Sequence, residues 1–168
     1  MSRLINLVFV FIGLQLSAQT EPNCGCCAES HQAFDFWVGN WQVYKLDGTK
    51  AGSNKIVKVQ DGCALQENWK SANGNFTGSS YSFYNAATDQ WEQLWIDNQG
   101  GQLHLRGGLS GNQMILKSDG FMDQEGRKSY HQITWTNNPD GTVRQFWQTF
   151  TEGKDPKIVF DGLYKKTE

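Results

Sequence analysis

The chain is cut at short, nearly regular intervals by residues that tolerate a left-handed backbone. The cuts fall at Asp47-Gly48, Asp61-Gly62, Asn73-Gly74, Asn85 to Asp89, Gln99 to Gly101, Gly111-Asn112, Asp119 to Gly126, Asn137 to Gly141 and Thr151 to Pro156. Asp-Gly and Asn-Gly pairs favour tight hairpins because both residues adopt positive φ at little cost. Between the cuts, aromatic and β-branched residues alternate with polar ones, the period-two pattern of half-buried strands. Nine dividers make ten strands. An open sheet of that size would expose two edges, and no strand carries the Pro or dense Lys that guards an edge. Closing the sheet removes the problem. The expected fold is therefore all-β: one antiparallel up-and-down β-barrel of roughly ten strands, in a chain of 168 residues that has room for a single domain. Short turns on both sides, with no outward apolar band flanked by aromatic girdles, argue against an outer-membrane barrel.

The N-terminal segment reads differently. Residues 1–18, MSRLINLVFVFIGLQLSA, combine a basic n-region (Arg3), an apolar stretch from Leu4 to Leu16 and a small residue, Ala18, before an expected cut. This is the pattern of a secretory signal peptide, too short to cross a ~30 Å hydrocarbon core as a helix. Glu21-Pro22-Asn23 precede Cys24 where a lipobox needs apolar and small residues, which argues against a lipid anchor. The expected organisation is a signal peptide over 1–18, a Cys-containing arm over 19–30 and a barrel domain over 31–168, exported to periplasm or medium. Ala33, Phe34, Trp37 and Val38 recur at helical spacing before Gly39, so one short helix is expected ahead of the first strand. Fifteen basic against 17 acidic residues give a net charge of −2, without the basic excess of a protein that grips nucleic-acid phosphates.

Four cysteines follow the leader: Cys24, Cys26 and Cys27 in CGCC, and Cys63 in DGCAL. Export places them where disulfides persist. Bridges inside so tight a cluster are expected to be strained, so the economical arrangement is one bridge from the cluster to Cys63. Two thiols are then left for a strained pair, an intermolecular bond or a metal. CGCC lacks the paired spacing of a zinc module, and no metal or other cofactor is expected.

Gly39-Asn40-Trp41, just after the expected helix, is similar to the G-x-W signature of lipocalin-like barrels. Phe34 to Trp41 (FDFWVGNW), Gly62 to Trp69 (GCALQENW), Gly78 to Asn85 (GSSYSFYN) and Trp91 to Gly100 (WEQLWIDNQG) resemble a bacterial family, DUF1579, grouped with calycin-like barrels. So do Ile133 to Trp135, Val143 to Trp147 and Asp161 to Tyr164. The resemblance covers residues 31–165, and W-x-Q-x-W-x-D is its most specific motif. It implies a ten-stranded lipocalin/calycin-like barrel and brings no established activity.

Residues two apart on a strand share a face. Trp91, Gln93, Trp95 and Asp97 therefore line up, as do Leu65, Glu67 and Trp69; Ser80, Ser82 and Tyr84; His131, Ile133 and Trp135; and Val143, Gln145 and Trp147. Large aromatics with a few placed polar groups make a small-molecule pocket. The same residues also suit a packed core whose indoles and phenols bond to neighbouring polar side chains. Ten strands favour a hollow, since eight already leave just enough room for side chains or one small ligand. The expected function is binding of a small apolar or amphipathic molecule without catalysis, with Glu67, Trp69, Ser82, Tyr84, Gln93, Trp95, Asp97, His131, Trp135, Gln145 and Trp147 as candidate lining. An interior packed solid to below about 300 Å³ of free space would refute it.

Burying Glu67 or Asp97 unpaired is costly, so Arg106 or Arg144 is the expected partner, or else a place near the mouth. The enzymatic alternative is a weak hydrolase or isomerase using Glu67, Asp97 or His131 as acid/base. Neither G-x-S-x-G nor H-E-x-x-H occurs to support it. His104, between Leu103 and Leu105, is expected on the surface or rim. A haem-binding, nitrobindin-like barrel is a further alternative, but the 37 residues from Gln132 onward contain no His, leaving only His131 near the position that resemblance would require.

Overall fold

Turn chemistry sets the hairpins. At the first of them Gly48 takes φ +80° and donates its N–H to Lys45 O at 3.0 Å, while Asp47 Oδ1 accepts from the N–H (2.9 Å) and hydroxyl (2.7 Å) of Thr49. The arrangement recurs at Gly141, where Asp140 Oδ1 accepts from the N–H (3.0 Å) and hydroxyl (2.7 Å) of Thr142. A short Asp side chain bonding two residues ahead, with Gly in the left-handed position, reverses the chain without backbone strain.

The computed structural model describes residues 24–167; the leader over 1–18, the cut near Ala18 and residues 19–23 of the arm lie outside it. Strands β1 (Gly39–Tyr44), β2 (Lys50–Val59), β3 (Ala64–Ser71), β4 (Thr77–Asn85), β5 (Gln90–Asp97), β6 (Gln102–Ser110) and β7 (Gln113–Ser118) pair antiparallel in chain order. After the two-residue strand β8 (Phe121–Met122) come β9 (Lys128–Asn137), β10 (Val143–Thr151) and β11 (Lys157–Lys166). β7 pairs with β9, β9 with β10 and β10 with β11. β11 then returns to β1, placing Trp41 opposite Lys166 and Val43 opposite Tyr164. The result is a closed ten-stranded antiparallel barrel. β8 is an addition inside the Asp119 to Gly126 divider, pairing Phe121 with Ser129 at the start of β9.

One end of the barrel is stoppered. The expected helix is present but split: four α-helical residues, α1 (Glu29–Gln32), then a 3-10 turn over Asp35–Trp37. The break has a packing cause. A 3-10 turn superposes side chains three apart, and Phe34 and Trp37 stack there with centroids 5.0 Å apart and planes at 16°. Both are fully buried, wedged against Trp135, with Phe34 also edge-on to Trp91. The indole N–H of Trp41 donates to Trp37 O (2.9 Å) and that of Trp91 to Ser30 O (3.0 Å), tying the stopper to the wall.

Two disulfides hold the arm: Cys26–Cys63 and Cys24–Cys27. The cluster-to-Cys63 bridge matches the sequence expectation. Of the uses left open for the other two thiols, a pair, an intermolecular bond or a metal, the second bridge is the pair. A separation of three residues puts the Cα atoms 5.5 Å apart, inside the ordinary disulfide range, and all four cysteines are oxidised. Cys26–Cys63 closes 37 residues of chain, which confers about 4 kcal/mol in the chain-entropy model. Urea denaturation should accordingly show the Cys26→Ser/Cys63→Ser variant losing about 4 kcal/mol, and Cys24→Ser/Cys27→Ser roughly half of that or less.

Candidate functional site

Away from the stopper the interior opens into a hollow of about 290 Å³. Its floor is polar. Asn54 on β2, Glu67 on β3, Ser80 on β4, Gln93 on β5, Gln145 on β10 and Tyr164 on β11 point inward from successive walls. Glu67, at the centre, is buried: Oε1 accepts from Asn54 Nδ2 at 2.6 Å and Oε2 from the Ser80 hydroxyl at 2.7 Å. Asn54 Nδ2 also reaches Tyr164 Oη at 3.3 Å, and the Tyr164 hydroxyl donates to Gln145 Oε1. On the other side Gln93 Nε2 donates to the oxygens of Ser80 (3.3 Å) and Ser82 (3.0 Å). One hydrogen-bonded chain thus crosses the barrel from Gln145 to Ser82.

Above the floor the walls are aromatic. Trp69, Trp95, Trp147 and Phe160 line the hollow with Leu103 and Ile133, and Val159, 44% exposed, lies at its rim. Trp69 meets Phe160 edge to face at 6.0 Å. Two glycines seat the indoles. A Cβ on Gly78, the β4 neighbour of Asp97 and Trp69, would overlap the Trp95 ring, and one on Gly52 would overlap Trp69. Each indole lies over a bare backbone, a close approach that only Gly permits.

Glu67 is the electrostatic anomaly. Burial raises its pKa from the usual carboxylate value of 4.5 to about 7, and the hydrogen bonds from Ser80 and Asn54 offset only part of that. The Tyr164 hydroxyl is likewise pushed well up, first by burial and then by the nearby Glu67 charge. The expected arginine partners are elsewhere: Arg106 pairs with Asp119 (2.8 Å) and lies 3.7 Å from Glu92, and Arg144 holds Asp161 at 2.8 and 2.6 Å. Both arginines alternate with inward residues and so face outward. His104, also outward, meets Glu92 at 3.1 Å.

Of the eleven candidate residues, Glu67, Trp69, Gln93, Trp95, Gln145 and Trp147 come together on the hollow. The others share the inward face at different heights or in supporting roles. Ser82 sits under Gln93. Tyr84 lies at the stoppered end, edge-on to His31 at 5.0 Å and bonded to Asp89. Trp135 packs in the stopper. Asp97 braces the β5–β6 turn, its Oδ1 accepting from the N–H groups of Gln99 and Gly101 at 2.9 Å each. His131 stands behind Trp147: Nδ1 accepts from that indole at 3.2 Å and faces the Thr149 hydroxyl at 3.0 Å, and burial lowers its pKa. No histidine lines the hollow among the described residues, so the histidine ligation of a nitrobindin-like haem site has no source there. Asn54, Tyr164, Phe160 and Leu103 belong to the site but escaped the sequence reading. A polar residue between inward Gly52 and Ile56 was the available signal for Asn54.

No protein-family model and no curated protein matches this chain.

A carboxyl whose pKa is raised in the folded state binds a proton that the unfolded chain has released, so its contribution to stability is full below pH 4.5 and is lost as pH rises through about 7. The loss amounts to roughly 3 kcal/mol. His131, with a lowered pKa, contributes in the opposite sense and cancels on comparison with a variant. Denaturation of the native protein relative to Glu67→Gln at pH 5 and pH 8 should show this difference shrinking at the higher pH by about 2–3 kcal/mol.

Proposed function

We propose that the protein is an exported lipocalin-like barrel that holds a small apolar or amphipathic molecule in its hollow without transforming it. The observation that carries the reading is the interior itself: five aromatic side chains, Trp69, Phe76, Trp95, Trp147 and Phe160, above a single buried carboxyl, in a space stoppered at one end. Its volume of about 290 Å³ falls just under the ~300 Å³ floor for sites that engulf drug-sized ligands. The ligand is therefore narrowed to a small head with a few carbons, or the end of a longer chain whose remainder leaves through the mouth. Export is supported by the leader-like residues 1–18 and by two disulfides, which persist in oxidising compartments. The closed ten-stranded form agrees with what the resemblance to DUF1579 implies, and membership of that family is part of the proposal.

Acid/base chemistry has one observation in its favour, a carboxyl poised near pH 7, where a general base works best. Asp97 and His131, however, are committed to a turn and to Trp147, which leaves Glu67 without a catalytic partner.

Titration with the neutral dye N-phenyl-1-naphthylamine tests the carrier reading. It should bind with a blue-shifted emission, and Leu103→Trp, which fills the hollow, should weaken it at least tenfold. Binding indifferent to that substitution would place the dye elsewhere and defeat the proposal.

A further inference from the structure

We propose that the hollow is selective for a small organic cation: an ammonium head, protonated or quaternary, on a short alkyl or aryl body, held between the Trp69, Trp95 and Trp147 rings and the carboxyl of Glu67. This rests on the carrier reading and names the ligand class for the same site.

Three observations converge. Glu67 is an acid with neutral partners: Asn54 and Ser80 hold its oxygens, and no Lys, Arg or His lines the hollow among the described residues. An anionic head such as a fatty-acid carboxylate would meet a second carboxyl there and nothing to neutralise either. A cation supplies the missing counter-charge. Next, inward Gly78 and Gly52 leave room for the Trp95 and Trp69 indoles against the wall of the hollow. Aromatic rings carry a negative π-face, which attracts ammonium groups within about 6 Å. Finally, the floor's donors are largely committed among themselves. Gln93 Nε2 serves Ser80 and Ser82, and the Tyr164 hydroxyl serves Gln145, so the acceptors on the floor that line the hollow include the oxygens of Glu67 and Gln93. Oxygens and π-faces together make an acceptor-rich cup. On the floor, the amide nitrogen of Gln145 is a donor without a partner among the described residues, suited to a hydroxyl or carbonyl carried beside the cation.

Cation binding is coupled to the proton on Glu67. The groups facing it are Asn54 and Ile56 from β2, Ser80 from β4, Gln93 from β5, Gln145 from β10 and Tyr164 from β11; of these only Tyr164 titrates, and it stays neutral at physiological pH. A cation favours the ionised carboxyl, so binding releases a proton wherever Glu67 begins protonated. Affinity then climbs with pH, by up to tenfold per unit below about 7, and levels off above it.

The test compares three probes with the same tail, hexyltrimethylammonium, 1-hexanol and hexanoate, by calorimetric titration at pH 6 and pH 8. The expected result is that the ammonium binds at least tenfold tighter than either other probe at pH 8, and severalfold weaker at pH 6. Glu67→Gln, its fold checked by near-ultraviolet circular dichroism, should lose at least tenfold in ammonium affinity together with the pH dependence. Trp95→Leu should weaken the ammonium more than the alcohol. Should Glu67→Gln fail to fold, the pH series on the native protein decides alone. Hexanol or hexanoate binding as tightly as the ammonium at pH 8, or an ammonium affinity equal at the two pH values, overturns the inference. If the neutral dye still binds in the hollow under those outcomes, the carrier reading survives; if no probe binds at all, both fall.

Discussion

The hydrogen-bonded seam between β11 and β1 is the constraint from which the rest follows. Once Trp41 pairs with Lys166 and Val43 with Tyr164, ten strands enclose an interior wider than their own side chains fill. The excess is divided unequally. At one end Phe34 and Trp37 enter as a wedge and complete a solid aromatic core with Trp91 and Trp135. At the other end no such wedge enters among the described residues, and the Trp69, Trp95 and Trp147 rings line open space. Closure, stopper and hollow are consequences of a single geometric surplus.

The polar layer between the two ends shows how a barrel can bury an acid. Removing a carboxylate from water is tolerable only if it is bonded or neutralised. Here both remedies operate: Asn54 and Ser80 satisfy the oxygens, and burial shifts the titration toward the neutral form. The salt bridges among the described residues lie outside the hollow, where Arg106 and Arg144 are engaged on the outer wall and water screens them. The inside of the barrel is thus electrostatically sparse, with Glu67 as its dominant group.

Much of this was legible in the sequence, in a definite order of reliability. Turn dipeptides located the hairpins because Gly48 and Gly141 need a backbone that few residues accept. Alternation sorted inward from outward side chains, which is why Glu67, Trp69, Gln93, Trp95, Gln145 and Trp147 could be named together. A period of two carries no information about height, however. Tyr84 and Trp135 share the inward face but pack at the stoppered end, and Asp97 braces a turn at the rim. Height depends on stagger between strands and on the register shift between Trp147 and Gln148, neither of which is written in a single strand. The short helix expected ahead of the first strand is present, and tertiary packing of Phe34 on Trp37 continues it as a 3-10 turn. The arginine partners were misassigned because the likelier bond, to outward Asp119 and Asp161, lies across strands on the other side of the wall.

The small bridge between Cys24 and Cys27 fastens nothing to the barrel, since both its ends lie in the same short arm. Its value lies in competition. Three thiols within four residues could each have sought Cys63, and a rival choice would change the tether to Phe34 by one or two residues, up to ~7 Å of extended chain. By occupying one another, the outer two withdraw from the contest and leave Cys26 as the sole suitor for Cys63. A bond with no mechanical duty thereby acts as a placeholder that keeps the correct length of chain between anchor and wedge.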